Sequence, residues 1–297
     1  MKGLSVKTSL IPVLFVFLWS TGFVGAKFGL PNAEPFTFLG IRMLITLAVL
    51  ALVIKSIGIS WSGDRVAYVN LAIVGLLVHG CYLGGVFSAI DRGMDASVVA
   101  IIVGLQPLVT AIAARFWFHE PLTRRKVTGL VLGFLGIVFV LAGQGNSAGP
   151  VDATGLLFCL TALFGISFGT LYQKRKCASH ELLTGTFIQY VATALVMGLL
   201  AFAFESREIV WNLRFTFSLL WLVFALSMGA ILLLMYMIRH GEAGRVASLF
   251  YLVPPLTALE TYFLFGERLT PVSMGGIVLC MIGVYLVLRQ RPDNQPK

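Results

Sequence analysis

Long apolar stretches alternate along the chain with short polar segments, and this pattern is typical of helices that cross a membrane several times. Each stretch is roughly 17–25 residues long, the length that a helix needs to cross the core of a bilayer. The stretches lack the period-two alternation of membrane β-strands. They lie near residues 10–30, 36–54, 66–90, 96–118, 127–143, 154–172, 182–204, 216–238, 246–265 and 272–288. The pattern predicts an all-α integral membrane protein with ten transmembrane helices.

The second half of the chain repeats the first. Residues 95–142 align with residues 242–289 without a gap, and the same spacing pairs Ser20 with Ser167 and Lys27 with Lys174. We therefore expect two copies of one unit, at residues 8–143 and 154–289. Because each copy would cross the membrane an odd number of times, the copies would form a 5+5 inverted repeat, an arrangement found in many transporters.

Positive charge indicates how the helices are oriented. With a cytoplasmic N-terminus, most Lys and Arg residues fall in cytoplasmic segments, and the outer loops hold only Arg92, Arg207, Arg214 and Arg268. This bias predicts a multi-pass protein of the bacterial inner membrane with both termini in the cytoplasm. The first stretch has the positive start of a signal peptide, but it aligns with the sixth stretch, so we expect it to be retained.

Composition supports a membrane protein and excludes other classes. Hydrophobic residues make up 58% of the chain and charged residues 12%, whereas a soluble globular protein has about 25% charged residues. The net charge of +9 would suggest nucleic acid in a soluble protein. Because the membrane topology accounts for this charge, we expect a lipid bilayer and no nucleic acid as partner. The four cysteines lack CxxC spacing and are interpreted as packing residues.

Motifs for enzymatic or ATP-driven chemistry are missing from the sequence. The chain contains no GxxxxGK[ST], HExxH or GxSxG pattern and no acidic cluster. We therefore expect no catalytic residues, no metal site, no cofactor and no enzymatic activity. Polar and helix-breaking residues inside the apolar stretches remain as candidates for a transport pathway.

Two prolines interrupt apolar stretches at corresponding positions of the two copies. Pro107 and Pro254 lie near mid-depth, beside Gln106 and Tyr251. Proline removes a backbone N–H, and paired breaks in both halves point to the binding site of a transporter. The alternative is that these kinks only shape helix packing, since proline is common in membrane helices.

Four further residues are candidates for a substrate cavity. Trp19 and Ser20 lie near the middle of the first stretch, and His79 and Tyr82 near the middle of the third. A Trp away from the membrane interface needs a partner for its N–H, and a His could relay protons. The alternative for His79 is a hydrogen-bonded packing role.

Three charged residues of interest, Lys27, Arg42 and Glu260, lie in the outer thirds of predicted helices. Their side chains could extend to the membrane surface, or Glu260 could pair with one of the cations and gate an outer vestibule. We favour a structural or gating pair, because all three residues lie away from the midplane. Glu120 and Glu267 each precede a predicted helix and are expected to cap its N-terminus.

The repeated pattern resembles the EamA domain of the drug/metabolite transporter superfamily. It reads Asp95 … Pro107 … Phe118-His119-Glu120-Pro121-Leu122-Thr123 … Gly129 and again Glu242 … Pro254 … Phe265-Gly266-Glu267-Arg268-Leu269-Thr270 … Gly276. The resemblance covers about residues 5–290. It implies ten spans, cytoplasmic termini, inverted repeats and export of small metabolites such as amino acids, often by proton exchange. It does not fix the substrate.

These observations predict a secondary transporter. We expect a proton-coupled exporter of small metabolites, such as amino acids or their derivatives, that works by alternating access around a midplane cavity between the repeats. One alternative is a drug or cation efflux pump of the same superfamily, which an acidic residue at mid-membrane would favour. Another is an integral-membrane enzyme acting on lipid-linked substrates, which would need an acidic metal-binding or base cluster. A homodimer is one alternative for the oligomeric state.

Overall fold

The structure, a computed structural model, consists almost entirely of helices. It describes residues 6–61, 64–117, 123–143, 153–239, 249–250, 252–267 and 269–288. Within these residues the β-type pairing is limited to one isolated bridge between Ala33 and Ile209. Helices satisfy their backbone hydrogen bonds internally, which is what long apolar segments require in lipid. The predicted all-α class is confirmed.

The helices follow the apolar stretches of the sequence. In the first copy they are α1 (Val6–Gly29), α2 (Pro35–Ile57), α3 (Arg65–Gly75), α4 (Tyr82–Asp91), α5 (Ala96–Val103), α6 (Gln106–Trp117) and α7 (Arg124–Ala142). In the second copy they are α8 (Ala153–Tyr172), α9 (Leu182–Phe204), α10 (Leu213–Trp221), α11 (Ile231–Arg239), α12 (Val253–Phe265) and α13 (Pro271–Leu288).

Within the described ranges, six helical rods are long and apolar enough to cross a membrane. They cover Ile11–Asn32, Pro35–Ile57, Arg65–Asp91, Ala153–Cys177, Leu182–Phe204 and Leu213–Met237. Shorter apolar helices cover Ala96–Thr110, Val127–Val140 and Pro271–Gly283. All nine segments overlap predicted stretches, whereas the full set of ten spans in two inverted groups of five stays a prediction.

Polar side chains and glycine set the ends of several helices. The Asp64 carboxylate accepts a hydrogen bond from the Ala67 N–H at 2.8 Å, and Asn212 accepts one from the Phe215 N–H at 2.8 Å. These contacts satisfy donors that the first turn of a helix leaves free. Gly58 ends α2 with a φ of 73°, a left-handed conformation that favours glycine.

Wide π-helical turns interrupt two rods at corresponding positions of the repeat. One covers Leu76–Cys81, between α3 and α4, and the other covers Leu222–Ala230, between α10 and α11. Such turns occur often at functional sites. The first contains His79 and the second contains Ser227, so both turns place polar groups in the interior.

The predicted stretch 96–118 is broken into α5 and α6 at Gly104 and Leu105. The break precedes Pro107, because the missing proline N–H and the bulk of its ring prevent a regular helix in the preceding turn. A Cβ added to Gly104 would lie 2.7 Å from Pro254 Cγ. Thus the break in the first copy packs directly against the proline of the second copy, which lies in the first turn of α12.

Helices α7 and α13, which correspond in the repeat, pack closely in antiparallel orientation. A Cβ added to Gly136 would lie 2.7 Å from the Gly276 carbonyl oxygen, and one added to Gly283 would lie 2.5 Å from that of Gly129. The repeat equates Gly129 with Gly276 and Gly136 with Gly283. The contact therefore maps onto itself when the two copies are exchanged. Small residues allow this close approach, as in other membrane helix pairs.

Candidate functional site

A buried aromatic cluster lies where α1 meets α4. The rings of Trp19 and Tyr82 stack with centroids 5.8 Å apart and an interplanar angle of 12°. Phe250 meets Trp19 edge-on at 5.2 Å, and Phe15 lies 5.1 Å from Trp19. The Trp19 Nε1 atom is buried and has no hydrogen-bond partner among the described residues. The sequence placed Trp19 and Tyr82 at similar depth, and the structure brings them into contact.

A narrow cavity adjoins this cluster. Its described lining is mostly apolar and comprises Trp19, Gly22, Phe23, Arg42, Tyr82, Leu83, Val86, Phe87, Leu226 and Ile231. It has room for about one or two water molecules. This space is too small to hold a metabolite. We refer to this space as the Trp19 cavity.

Arg42 is the charged residue in the described lining of the Trp19 cavity. It belongs to α2, and its side chain is only 2% exposed. Its Nε donates a hydrogen bond to Ser227 Oγ at 3.1 Å. Among the described residues no carboxylate lies within ion-pair distance of its guanidinium. Ser227, the acceptor of this hydrogen bond, lies in the second π-helical turn. The sequence analysis did not identify it as a candidate residue.

His79 lies in a separate polar cluster beside α9. Its Nε2 is 3.3 Å from Gln189 Oε1, and its ring lies 4.4 Å from that of Tyr190. Gln189 in turn donates from Nε2 to Gln173 Oε1 at 3.2 Å. The buried Nδ1 of His79 has no described partner. His79 is not among the described residues that line the Trp19 cavity.

Ser20 and Glu260 connect α1 to α12. Ser20 Oγ is 2.7 Å from Glu260 Oε1 and 2.9 Å from the Phe17 carbonyl oxygen. The second carboxyl oxygen of Glu260, Oε2, is buried without a described partner. Glu260 therefore binds a hydroxyl, and the described ion pairs of this structure include Lys27 but neither Glu260 nor Arg42.

Lys27 forms its ion pairs with two acidic residues in loops. Its Nζ lies 3.4 Å from Asp95 Oδ1 and forms a short contact with Glu267 Oε1. Asp95 precedes α5, and Glu267 lies between α12 and α13. The cluster of Lys27, Asp95 and Glu267, called the charged cluster below, therefore joins the two copies of the repeat.

Glu267 also caps a helix, though a different one from that expected. Its carboxylate accepts hydrogen bonds from the N–H groups of Ala96 and Ser97 at 3.3 and 3.4 Å, and from Ser97 Oγ at 2.7 Å. It thus caps α5 rather than the following helix α13. The first turn of α13 is instead satisfied by Thr270 Oγ1, which accepts from the Ser273 N–H. Glu120 lies outside the described residues.

The two carboxylates of the charged cluster have opposite pKa shifts. Burial alone would raise the pKa of Glu267, but hydrogen bonds from Lys27 and Ser97 outweigh it and hold the pKa below its usual value. Burial, together with repulsion from Glu267, raises the pKa of Asp95 despite the nearby Lys27. Glu267 is therefore the principal counterion of Lys27.

The proline candidates lie apart from the Trp19 cavity. Gln106 donates from Nε2 to Thr170 Oγ1 at 3.2 Å, while its Oε1 is buried without a described partner. Pro107 is buried, and Pro254 packs against Gly104. None of these three residues lines the described part of the Trp19 cavity. Tyr251 lies outside the described residues.

The charged cluster could have been found from the repeat. Lys27, Asp95 and Glu267 correspond to Lys174, Glu242 and Glu120, so the sign of charge is kept at every position. Sequence reasoning considered Lys27 and Glu267 separately, because they are far apart in the chain. Glu120 and Glu242 lie outside the described residues.

Membrane-length apolar helices packed around a buried cavity place this protein in the class of multi-pass helical membrane proteins. The model of the EamA-like transporter family matches the chain twice, over residues 7–142 and 153–289. The chain belongs to the EamA-like transporter family. This confirms the family predicted from the repeated motif, and it makes the protein a transporter rather than an enzyme.

Known proteins resemble the chain over nearly its full length. The uncharacterized transporter YvbV of Bacillus subtilis is 26% identical over 286 residues, which cover 95% of this chain and 91% of YvbV. A probable amino-acid metabolite efflux pump of Salmonella typhimurium is 26% identical over 299 residues, which cover 95% of each protein. A solved crystal structure matches with a TM-score of 0.66 at 21% identity, over 94% of this chain and 96% of that one. The last likeness shows the fold alone.

Proposed function

We propose that this protein is a proton-coupled secondary exporter of small metabolites, such as amino acids or their derivatives, in a bacterial inner membrane. The observation that carries the proposal is the narrow cavity at Trp19, Tyr82 and Arg42, together with a charged cluster that joins the two copies near one end of α1. A cavity that must widen to admit a substrate, beside an ion pair that can break, suits alternating access.

The packing of α7 and α13 supports the inverted repeat in this proposal. The Gly136–Gly276 and Gly129–Gly283 approaches require antiparallel helices. Two corresponding helices that run in opposite directions are what inverted copies would give. We propose ten spans arranged as 5+5, with the substrate site between the copies.

The loop charges support cytoplasmic termini. Arg124 and Arg125 begin α7, and Lys174, Arg175 and Lys176 lie in the π-helical turn after α8. Positive loops favour the cytoplasmic side. The orientation can be tested with single cysteines at Ser179 and Glu208 in a cysteine-free background. An impermeant thiol reagent should label position 208 in intact cells and position 179 only after permeabilisation, and the reverse pattern would overturn the orientation.

With this orientation the charged cluster closes the outer end of the transporter. Lys27 and Asp95 belong to the first copy and Glu267 to the second, so the copies cannot separate at this end without breaking the Lys27–Glu267 ion pair. Glu267 is buried and accepts hydrogen bonds from the first turn of α5, so its carboxylate is held in one position beside Lys27 when this end is closed. Opening towards the outside would hydrate the three charges and offset part of the lost attraction.

Glu260 is the proposed proton carrier. When ionised, its carboxylate accepts a hydrogen bond from Ser20. When protonated, it can donate to Ser20 Oγ, which then donates to the Phe17 carbonyl, with the same positions of the heavy atoms. No described cation pairs with Glu260, so the uncharged form costs least in a membrane interior. The site can therefore gain or lose a proton without rearrangement.

The direction and the substrate class rest on similarity. The Salmonella typhimurium relative is named as a probable amino-acid metabolite efflux pump, which supports export of related compounds. A drug or cation efflux pump is the second candidate, because the unpaired carboxylate of Glu260 could attract a cation. The charge in the described lining of the Trp19 cavity is positive, however, which favours the metabolite exporter.

Proteoliposomes containing the purified protein test the function. Vesicles would be loaded with single radiolabelled amino acids or N-acetylated derivatives, and a pH gradient would be imposed without ATP. We expect gradient-dependent movement of at least one compound, which stops with a protonophore. Transport that needs ATP would overturn secondary transport, and preferential movement of organic cations would favour the drug efflux pump. Trp19→Phe, which keeps an aromatic ring in the buried cluster but removes the N–H, should weaken transport without loss of folded protein.

A further inference from the structure

We infer that Arg42 binds a carboxylate of the transported molecule, so that the substrates are small organic acids with an apolar or aromatic part and no free ammonium group. This inference rests on the proposed function, because it names the substrate class of the Trp19 cavity. The sequence interpretation gave Arg42 a gating or ion-pair role, and the structure gives it neither an acidic partner nor a place in the charged cluster.

The first argument is that the Arg42 guanidinium is buried without a carboxylate partner among the described residues. Arg42 is 2% exposed and lies well inside α2, where a cation is costly unless a counter-charge is present. Its described hydrogen bond is a single one, from Nε to Ser227 Oγ. The two terminal amino groups thus remain for a bidentate contact with a planar anion, the geometry that Arg forms with carboxylates.

The second argument is that the indole N–H of Trp19 is a second hydrogen-bond donor at the Trp19 cavity. Trp19 is 3% exposed and lines the cavity, and its Nε1–H lies near the Tyr82 hydroxyl without forming a well-aligned hydrogen bond to any described residue. A buried donor without an acceptor is unfavourable. A ligand that accepts hydrogen bonds would satisfy Trp19 and neutralise Arg42 together.

The third argument concerns the remainder of the ligand. The stacked rings of Trp19 and Tyr82, with Phe23 and Phe87, form the apolar wall of the cavity. This wall suits an aliphatic or aromatic side chain. Within the described lining Arg42 is the charged residue, and no carboxylate is present to pair with an ammonium group. An N-acylated amino acid should therefore bind better than the free zwitterion.

Thermal unfolding of the purified protein measures this preference without transport. The probes are N-acetyl derivatives of glycine, leucine, phenylalanine and tryptophan, each compared with its primary amide and with the free amino acid. We expect at least one N-acetylated acid to raise the unfolding midpoint, while its amide does not. Equal shifts by acid and amide, or no shift by any acid, would overturn the inference.

Variants of Arg42 and Lys55, two cationic residues of α2, test which residue binds the carboxylate. Arg42→Gln should weaken binding of the stabilising acid by roughly thirtyfold or more, whereas Arg42→Lys should retain part of it. Lys55→Gln, at the exposed end of the same helix, is the matched control and should bind normally. Normal acid binding by Arg42→Gln would overturn the inference. If that variant does not accumulate, Arg42→Lys and the acid–amide comparison decide.

The binding and transport experiments together distinguish a failure of this inference from a failure of the proposed function. Selective binding of the acid without transport in proteoliposomes would retain the carboxylate site and reject the exporter. Proton-driven transport of zwitterions or neutral compounds, with no preference for acids, would retain the exporter and reject the carboxylate site.

Discussion

Lys27 in α1 is bound to Glu267 in the loop between α12 and α13, although 240 residues separate them in the chain. The same carboxylate also accepts hydrogen bonds from the first turn of α5. One side chain of the second copy therefore holds two helices of the first copy. In the proposed orientation, this relationship closes the outer end of the protein.

Replacement of Lys27 by Gln should open the outer end more often, because Glu267 would lose its counterion. Leu83, in the lining of the Trp19 cavity, offers a place for a single reporter cysteine in a cysteine-free background. We expect an impermeant thiol reagent applied from outside to label this cysteine several-fold faster when Lys27→Gln is present. Lys55→Gln should leave the labelling rate unchanged. An unchanged rate in Lys27→Gln would show that the ion pair does not control access.

Stability should depend on pH through the charged cluster, with opposite signs for its two acids. The folded pKa of Glu267 is lowered, so its contribution is complete above its usual pKa of 4.5 and is lost as pH falls through the lowered value. The folded pKa of Asp95 is raised, so between its usual pKa of 3.8 and the raised value stability falls as pH rises.

The corresponding variants should behave differently in thermal unfolding at neutral pH. Glu267→Gln should lower the midpoint by roughly 2–4 °C, equivalent to about 1 kcal/mol, and should remove part of the loss of stability in acid. Asp95→Asn should leave the midpoint unchanged or raise it, because the neutral amide avoids repulsion with Glu267. The interpretation fails if Asp95→Asn is the more damaging of the two.

Glu260→Gln should uncouple transport from protons. Gln keeps the shape of the side chain and can still bond to Ser20, but it cannot release a proton. We expect the variant to lose pH-driven accumulation by at least tenfold while retaining exchange of labelled for unlabelled substrate, a step that needs no net proton movement. Glu260→Asp should retain partial coupling. If Glu260→Gln responds to the pH gradient like the wild type, another group carries the proton.

The α7–α13 contact should tolerate no added side chain at its centre. Gly136→Ala would place a Cβ 2.7 Å from the Gly276 carbonyl oxygen and should cost about 1–3 kcal/mol of stability. Gly275→Ala is the matched control, since a Cβ added there meets no atom within 4 Å. It should be neutral or slightly stabilising, because Ala favours helix over Gly. Thermal unfolding of the two variants in the same detergent makes the comparison.

The sequence predicted the helices well because membrane helices depend on local features. Apolar length and glycine or proline positions indicate membrane helices directly. The break in the predicted stretch 96–118 was expected at Pro107 and lies at Gly104 and Leu105, since proline disturbs the turn before it. The π-helical turns could not be predicted from hydropathy, because an apolar run has the same composition in either kind of helix.

Side-chain partners were harder to predict, since they depend on which helices meet. Trp19 and Tyr82 were both expected to line a cavity, and they stack. The partner of Glu260 was expected to be a cation and is Ser20. Apolar periodicity identifies the buried face of a helix, but it carries no information on which polar group of another helix faces it. The repeat held additional information on the Lys27 partners, because it conserves the charges together.

The composition of the charged cluster has a consequence for how such a chain could arise. The first copy contains, within its own sequence, Lys27 and Asp95 and also Glu120, which corresponds to Glu267. An ancestral single-copy protein that inserted into the membrane in both orientations could have assembled as an antiparallel homodimer, with the three charges available at each face. Gene fusion would then have kept one set of the three charges for each face, and each face could afterwards diverge without loss of the other.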